Sequence, residues 1–373
     1  MKSLLKKLTP SSLLLIPYLL VSHAATAQQP ISEEDQKVLK ELEQYLDETR
    51  KAFGDCPSAL VVSRRDSIIF EKYEAGIYAQ TSYGPINEES LWPLYSITKS
   101  FAAGVLLALA SDGILDLDDP ASKYLPEFST HGEGAFDRRK VTIRHLASHT
   151  SGASIPKEKY TPTKDNPPDL NLVQIDTEPG TSFLYSALGM HLLERLIQSA
   201  TGEDFEATLS KKILIPLGLN HTQYIYQVNP LVPILPVRLG ESKSPSQNFD
   251  LSANGIRCHT GLYSTARELN IYGQIWLGDG TFKGHRYFDF KFKKEAWKHH
   301  STQPSNNAHY GLLWWLSEEK GAYFMSGSGR KVTVVMPQKG VVITLLRLPV
   351  EIPKGQTFDD NENLIRFGNQ LDQ

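Results

Sequence analysis

Cysteine is almost absent. Cys56 and Cys258 are the only two in 373 residues, too few for a zinc cluster, and they never form a CxxC pair. Either they bridge, as an exported chain permits, or they are two buried thiols. A surplus of positive charge is also missing. With 39 Lys and Arg against 42 Asp and Glu the net charge is −3, which excludes charge-driven binding of nucleic acid. Beyond the first residues there is no apolar run long enough to cross a bilayer. What is present is ordinary for a folded globular chain: 40% hydrophobic and 10% aromatic residues.

The first 27 residues differ from the rest. Lys2, Lys6 and Lys7 precede the short apolar stretch SSLLLIPYLLV, and ATA at 25–27 has the small-x-small form of a cleavage site. This is the layout of a secretory signal peptide. The expectation is export to the periplasm or medium, with no stable membrane anchor. Cleavage removes three lysines and no acid, taking the net charge from −3 to −6.

Hydrophobic periodicity organises the remainder. SEEDQKVLKELEQYLDETRKAFG reads as a helix with Ser32 as its cap and Gly54 as its stop. SALVVSRRDSIIFEKYEAG reads as two strands around Arg65–Asp66. At the other end AYFMSG, KVTVVMP and GVVITLLRL are strand-like, and FDDNENLIRFGNQL is a terminal helix. Strands and helices at both ends predict one sheet built from both termini. Between them TIRHLASHTS, ALGMHLLERLIQSATG and FEATLSKKILIPLG have helical spacing, and 155–180 is a Pro-rich loop. The expected organisation is a signal peptide at 1–27, an α/β body at 28–120 and 255–373, and a mostly helical insert at 121–254.

Serine three residues before lysine occurs five times, as Ser3/Lys6, Ser96/Lys99, Ser154/Lys157, Ser317/Lys320 and Ser328/Lys331. The first leaves with the signal. Pro156 interrupts the third, the fourth sits in the charged turn SEEKG, and the fifth leads into a strand. Only Ser96 opens a helix, SITKSFAAGVLLALASDG, which is apolar nearly all round and so buried. One helical turn puts Ser96 and Lys99 on the same face. Burial and the helix N-terminus both disfavour an ammonium there, and a neutral lysine can take a serine's proton. The alternative is a serine cap beside a snorkelling lysine.

From this point the chain resembles the serine β-lactamase and penicillin-binding protein superfamily. Within it the chain is most similar to the branch of class C β-lactamases, DD-peptidases, esterases and 6-aminohexanoate-dimer hydrolases. LYSITKSFAAGVLLALASDGILDLDDPASKYLPEF, VTIRHLASHTSG, DTEPGTSFLYSALGMHLLERLIQSATG, PLGLNHTQY, TGLYSTARELNIYG and YGLLWWL carry the resemblance, in order, from about 58 to 348. It implies an α+β fold, an antiparallel sheet flanked by N- and C-terminal helices with a mostly helical inserted subdomain. It also implies a serine hydrolase that forms an acyl-enzyme on Ser96, with Lys99 as base and no metal or cofactor. The family's Tyr-x-Asn motif corresponds to YSA at 185–187, so Tyr185 would serve in proton transfer. SAN at 252–254, with Asn254, is the second-ranked match. The third motif falls on MSG at 325–327, with a strand before it and a hairpin after it, rather than HTG at 259–261, because the LYSTARELNIYG that follows HTG reads as a helix. That choice makes Met325, Ser326 and Gly327 substrate-binding and the backbone N–H groups of Ser96 and Ser328 the oxyanion hole.

Two departures bear on substrate. Ala187 stands where the family holds an acylamino chain with Asn, and Met325 stands where a Lys or His recognises a carboxylate. Arg330 or Lys331 could restore the latter contact. Trp314, Trp315, Tyr323 and Phe324 lie near the strand as candidate walls of an apolar pocket, with plain packing expected for at least two. The expected substrate is a small-molecule or peptide-like ester or amide. The alternatives are a DD-peptidase or β-lactamase acting on cell-wall peptides or β-lactams, and a non-catalytic binding protein of the same fold. The oligomeric state is left open.

Overall fold

The computed structural model describes residues 31–80, 85–156, 159, 168–225, 257–302, 309–350 and 358–372. The signal peptide at 1–27 and the SAN stretch with Asn254 lie outside the described residues. Helix α1, Glu33–Ala52, starts where Ser32 Oγ accepts the Asp35 N–H at 3.1 Å. Strands β1 (Ser58–Arg64) and β2 (Ser67–Glu74) follow as a hairpin. The chain returns to the same sheet only through β3 (Trp315–Ser317), β4 (Ala322–Gly327), β5 (Lys331–Met336) and β6 (Val341–Arg347). All neighbours are antiparallel, in the order β3-β4-β5-β6-β1-β2. Because β6 pairs with β1, both are central and covered on both faces, which is why SALVVSR and VVITLLR read as nearly continuous apolar runs.

One face is covered by α1 and the C-terminal helix Asp360–Gln370. Leu42, Leu46, Leu364 and Phe367 meet Leu60, Val62, Val334 and Ile343 there. A buried polar joint ties this layer. Arg347 of β6 donates to Asp360 Oδ1 at 2.7 Å and to Thr49 of α1, and Tyr45 donates to the same Asp360 oxygen at 2.7 Å.

The other face carries a helix at Ala266–Gln274. Its Asn270 amide donates to the Val61 and Val342 carbonyls at 3.1 Å each, beside the bulge at Val62/Ser63. Behind it lies helix α2, Thr98–Ser111, with every residue from Thr98 to Ala110 buried. Phe101 of α2 stacks on Tyr272 at 4.0 Å, and Tyr272 donates to the Ser100 carbonyl at 2.5 Å. Gly104 makes room for that hydroxyl, since a Cβ there would stand 2.7 Å from it. The layers are therefore helices, sheet, helix and then α2 at the centre.

Three segments differ from the sequence expectation. TIRHLASHTS is helical only over Ile143–Ala147, because His149 (φ +56°) and Gly152 (φ +69°) leave the helical region. FEATLSKKILIPLG is helix, π turn at Ser210–Leu214 and helix. Pro216 cannot supply its N–H to the ladder, and the wider turn absorbs the mismatch. LYS at 262–264 is a strand paired with Trp92–Pro93 and Gln223–Tyr224, and the helix begins only after Thr265. Cys56 and Cys258 are both buried and free.

The Arg347–Asp360 joint yields a stability prediction. Asp360→Ala leaves a fully buried guanidinium without its carboxylate and is expected to cost about 3–5 kcal/mol, read as a lower urea midpoint at unchanged slope. A midpoint within error of the parent would show that the joint adds nothing.

Candidate active site

Helix α2 is entered through a 3-10 turn, Tyr95–Ile97, in which Tyr95 has φ +50°. Side chains rarely adopt this region, and such strain collects at functional sites. Ser96 lies one residue before the helix N-cap, Ile97. Its Oγ stands 3.1 Å from Lys99 Nζ, and Nζ also donates to the His259 carbonyl at 2.9 Å. Lys99 is 1% exposed, and among the described residues no carboxylate pairs with it. Burial pushes its pKa down to about 7, against a weak opposing pull from Cys258. Near neutral pH about half the amine is therefore unprotonated. A neutral amine at this distance can accept the hydroxyl proton.

Tyr185 lies in the loop before the helix Ala187–Thr201, which Ser186 caps through its bond from the Gly189 N–H at 3.0 Å. The Tyr185 hydroxyl bonds to Ser96, and Lys99 Nζ lies 4.8 Å from the centre of its ring. Desolvation of that inner end raises its pKa even though the residue is 39% exposed overall. The structure thus brings Ser96, Lys99 and Tyr185 together from two distant segments.

Sequence reasoning missed two histidines here. His149 holds both sides of Tyr185. Its carbonyl accepts the Leu184 N–H at 2.8 Å, its Nδ1 accepts the Ser186 N–H at 3.3 Å, and its ring centre is 4.6 Å from that of Tyr185. His259, from the HTG stretch, contributes its carbonyl to Lys99. Burial and the neighbouring Lys99 depress both imidazoles, His259 to about 3. Burial therefore favours the neutral form of each basic group around Ser96. His145 and His149 have i, i+4 spacing, but the helix stops between them, and no group of three metal ligands occurs among the described residues. The legible signal was HTSG, a histidine at a helix end just before a glycine.

Strand β4 runs against the Tyr95–Ile97 turn. A Cβ at Gly327 would meet the Leu94 carbonyl oxygen at 2.3 Å, so only glycine permits this approach. Ser328 follows it directly and lies beside that turn. Met325, 1% exposed, is in the core. Ser326 lines a cavity of about 400 Å³ with Arg330, Phe358 and Asp360, which Ser96, Lys99 and Tyr185 do not line. Arg330 donates to the Phe358 carbonyl at 2.6 Å, and Lys331 is 1% exposed. Of the four candidate wall aromatics, Trp314 packs with Trp276 at 4.7 Å and Tyr323 stacks on Trp297 at 3.8 Å. Trp315 lies 6.3 Å from Tyr185, nearly parallel, and joins Phe183 and Tyr310 in an aromatic wall; Phe324 stacks behind it.

Comparisons with known proteins agree with this architecture. Residues 46–347 match the family model described as Beta-lactamase. An N-acetylmuramyl-L-alanine amidase of Bacillus subtilis (strain 168) is 24% identical over 379 residues, covering 88% of this chain and 84% of that protein. EstCE1, a hydrolase with promiscuous acyltransferase activity, superposes with a TM-score of 0.69 at 18% identity over 91% of this chain and 99% of that one. A β-lactamase/D-alanine carboxypeptidase from Yersinia pestis complexed with citrate gives 0.68 at 21% identity over 89% and 99%. At such identities the two superpositions speak for the fold.

The depressed amine sets a pH dependence. Reaction of Ser96 with an active-site acylating agent should rise about tenfold per unit below pH 7 and level off above it, following the neutral fraction of Lys99. Lys99→Arg should stay slow throughout. Burying the amine also costs stability, because between about pH 7 and 10.5 the unfolded chain holds the extra proton. Stability from this group therefore rises with pH across that window, and Lys99→Met should melt above the parent at pH 7. A flat rate profile between pH 6 and 8 would contradict the assignment.

Proposed function

This chain belongs to the Beta-lactamase family of serine hydrolases, and we propose that it cleaves an ester or amide bond through an acyl-enzyme on Ser96. The observation that carries the reading is the buried Lys99 amine, without a carboxylate partner among the described residues, 3.1 Å from the Ser96 hydroxyl. In the proposed reaction Lys99 takes the proton as Ser96 Oγ bonds to the substrate carbonyl carbon. The oxyanion that forms is held by the N–H groups of Ser96 and Ser328. Tyr185 relays the proton held by Lys99 to the leaving oxygen or nitrogen as its bond to carbon breaks, so both groups return to their neutral forms. Water then repeats the sequence on the acyl-enzyme and frees the acid.

The substrate is proposed to be a small molecule with a neutral, largely apolar acyl group, processed outside the cytoplasm after loss of residues 1–27. Three features support this preference. Ala187 opens its helix with a methyl group where an amide would grip an acylamino chain. Met325 is a buried thioether, and Arg330 and Lys331 are committed to main-chain carbonyls. Tyr185 and Trp315 offer an aromatic surface beside the serine. The missing charge-assisted contacts are worth about 1.5–3 kcal/mol each, roughly ten- to a hundredfold in kcat/KM for an anionic β-lactam or D-Ala peptide.

A fluorophosphonate probe followed by mass mapping tests the chemistry. The adduct is expected on Ser96 and absent in Ser96→Ala. A folded protein that takes no label would instead be a binding protein of this fold. A panel tests the substrate. Simple p-nitrophenyl esters and anilides should exceed a chromogenic cephalosporin by at least about tenfold in kcat/KM. The reverse order would leave the serine chemistry standing and replace the substrate reading by β-lactam or cell-wall peptide turnover.

A further inference from the structure

Lys331 is a second buried amine that the proposed reaction does not use. It opens β5 opposite Gly327 of β4, on the same side of the sheet as the nucleophile turn. Its Nζ donates to the Ser328 carbonyl at 3.1 Å and to the Gly329 carbonyl at 3.4 Å, and lies 4.8 Å from the centre of the Tyr95 ring. The residue is 1% exposed, and among the described residues no carboxylate pairs with it. Burial depresses the amine to about 7, so the position is a cost to the fold that an apolar side chain would avoid.

The amine's neighbours are the two flanks of the proposed site. Tyr95 immediately precedes Ser96. Ser328 is the proposed second oxyanion donor, and it stands between two glycines, Gly327 and Gly329, the latter at φ +76°. Glycine on both sides leaves that peptide free to rotate. The strand and the nucleophile turn touch at only one backbone point that demands glycine, Gly327 against Leu94. The amine supplies the second point, gripping the turn carbonyls with its N–H groups and packing over the Tyr95 ring. The amine sits directly against the second glycine, where a Cβ on Gly329 would stand 2.8 Å from Nζ.

We infer that Lys331 is a positioning residue that pins the Ser328 peptide to the Tyr95–Ser96 turn and so sets the oxyanion hole, rather than a cation that contacts substrate. The inference rests on the proposed role of Ser328, and the test separates the two. Lys331→Met, about equal in length and free of charge, is compared with the parent on a p-nitrophenyl ester and on its thionoester. Sulfur is a poor acceptor, so a formed oxyanion hole favours the oxygen ester. The variant is expected to lose about ten- to a hundredfold in kcat with KM within about twofold. Its preference for the oxygen ester should shrink by a similar factor. Amide hydrogen exchange over 325–331 should quicken, with the melting temperature unchanged or raised. Lys331→Gln, which keeps an N–H donor, should recover part of both kcat and the preference. Should Lys331→Met not fold, Tyr95→Leu removes the other anchor and should give the same loss of oxygen preference.

A Lys331→Met protein with parental kcat and parental oxygen preference overturns the inference. So does one in which only KM rises, as loss of a substrate contact would produce. A parent enzyme showing no oxygen preference, while exchange over 325–331 still quickens in the variant, would keep the pin and remove the oxyanion role of Ser328.

Discussion

The structure turns on one uncomfortable group, an amine with no carboxylate partner among the described residues, at the head of a helix that is buried on every side. An isolated ammonium in such surroundings is expensive, and the usual response is a lowered pKa rather than a broken fold. Lys99 follows that response, and its neighbours are compatible with it. The partners of its Nζ are a hydroxyl and a main-chain carbonyl, and the nearby imidazoles are held neutral by the same burial. A carboxylate at that position would have fixed the proton on the amine and removed its capacity as a base.

Such an amine can be kept only in a scaffold rigid enough to deny it water. The sheet supplies that, with its central pair drawn from the two ends of the described chain and locked on the outside by Arg347, Asp360, Tyr45 and Thr49. On the inside Asn270 and Tyr272 carry the order of the sheet to α2 through main-chain carbonyls. The site lies where this stack ends, with β4 against the Tyr95–Ser96 turn. A second buried amine, Lys331, occupies that seam. Two buried lysines without carboxylate partners among the described residues are a cost to stability, in keeping with the general trade between stability and a prepared active site.

The sheet was readable because both-face burial and alternation leave a local trace in every strand, and α1 was readable from its cap and stripe. Ser96 could be chosen from five similar pairs because its helix is apolar all round, a property of fourteen consecutive residues. What could not be read was assembly. His149 and His259 meet Lys99 from segments more than a hundred residues apart, and nothing local to either says so. Of the aromatics, Trp314 and Trp315 are adjacent in sequence. Strand geometry sends one into the core and the other to Tyr185. In the sequence Lys331 could restore a carboxylate contact, and only the structure shows that it is buried and bonded to main-chain carbonyls. The short strand at 262–264 and the broken helix around Pro216 were missed because tertiary pairing and one absent N–H outweigh helical spacing.

The central claim is that Lys99 titrates near neutral pH, so that a large share of the amine is neutral when it faces Ser96. The direct measurement is its own titration, followed by NMR on protein with isotope-labelled lysine side chains and assigned by the signal lost in Lys99→Met. The account predicts a midpoint near 7, well separated from the exposed lysines. A Lys99 signal that titrates with them near 10.5 would mean the amine is charged when it faces Ser96, and the account would be wrong at its root.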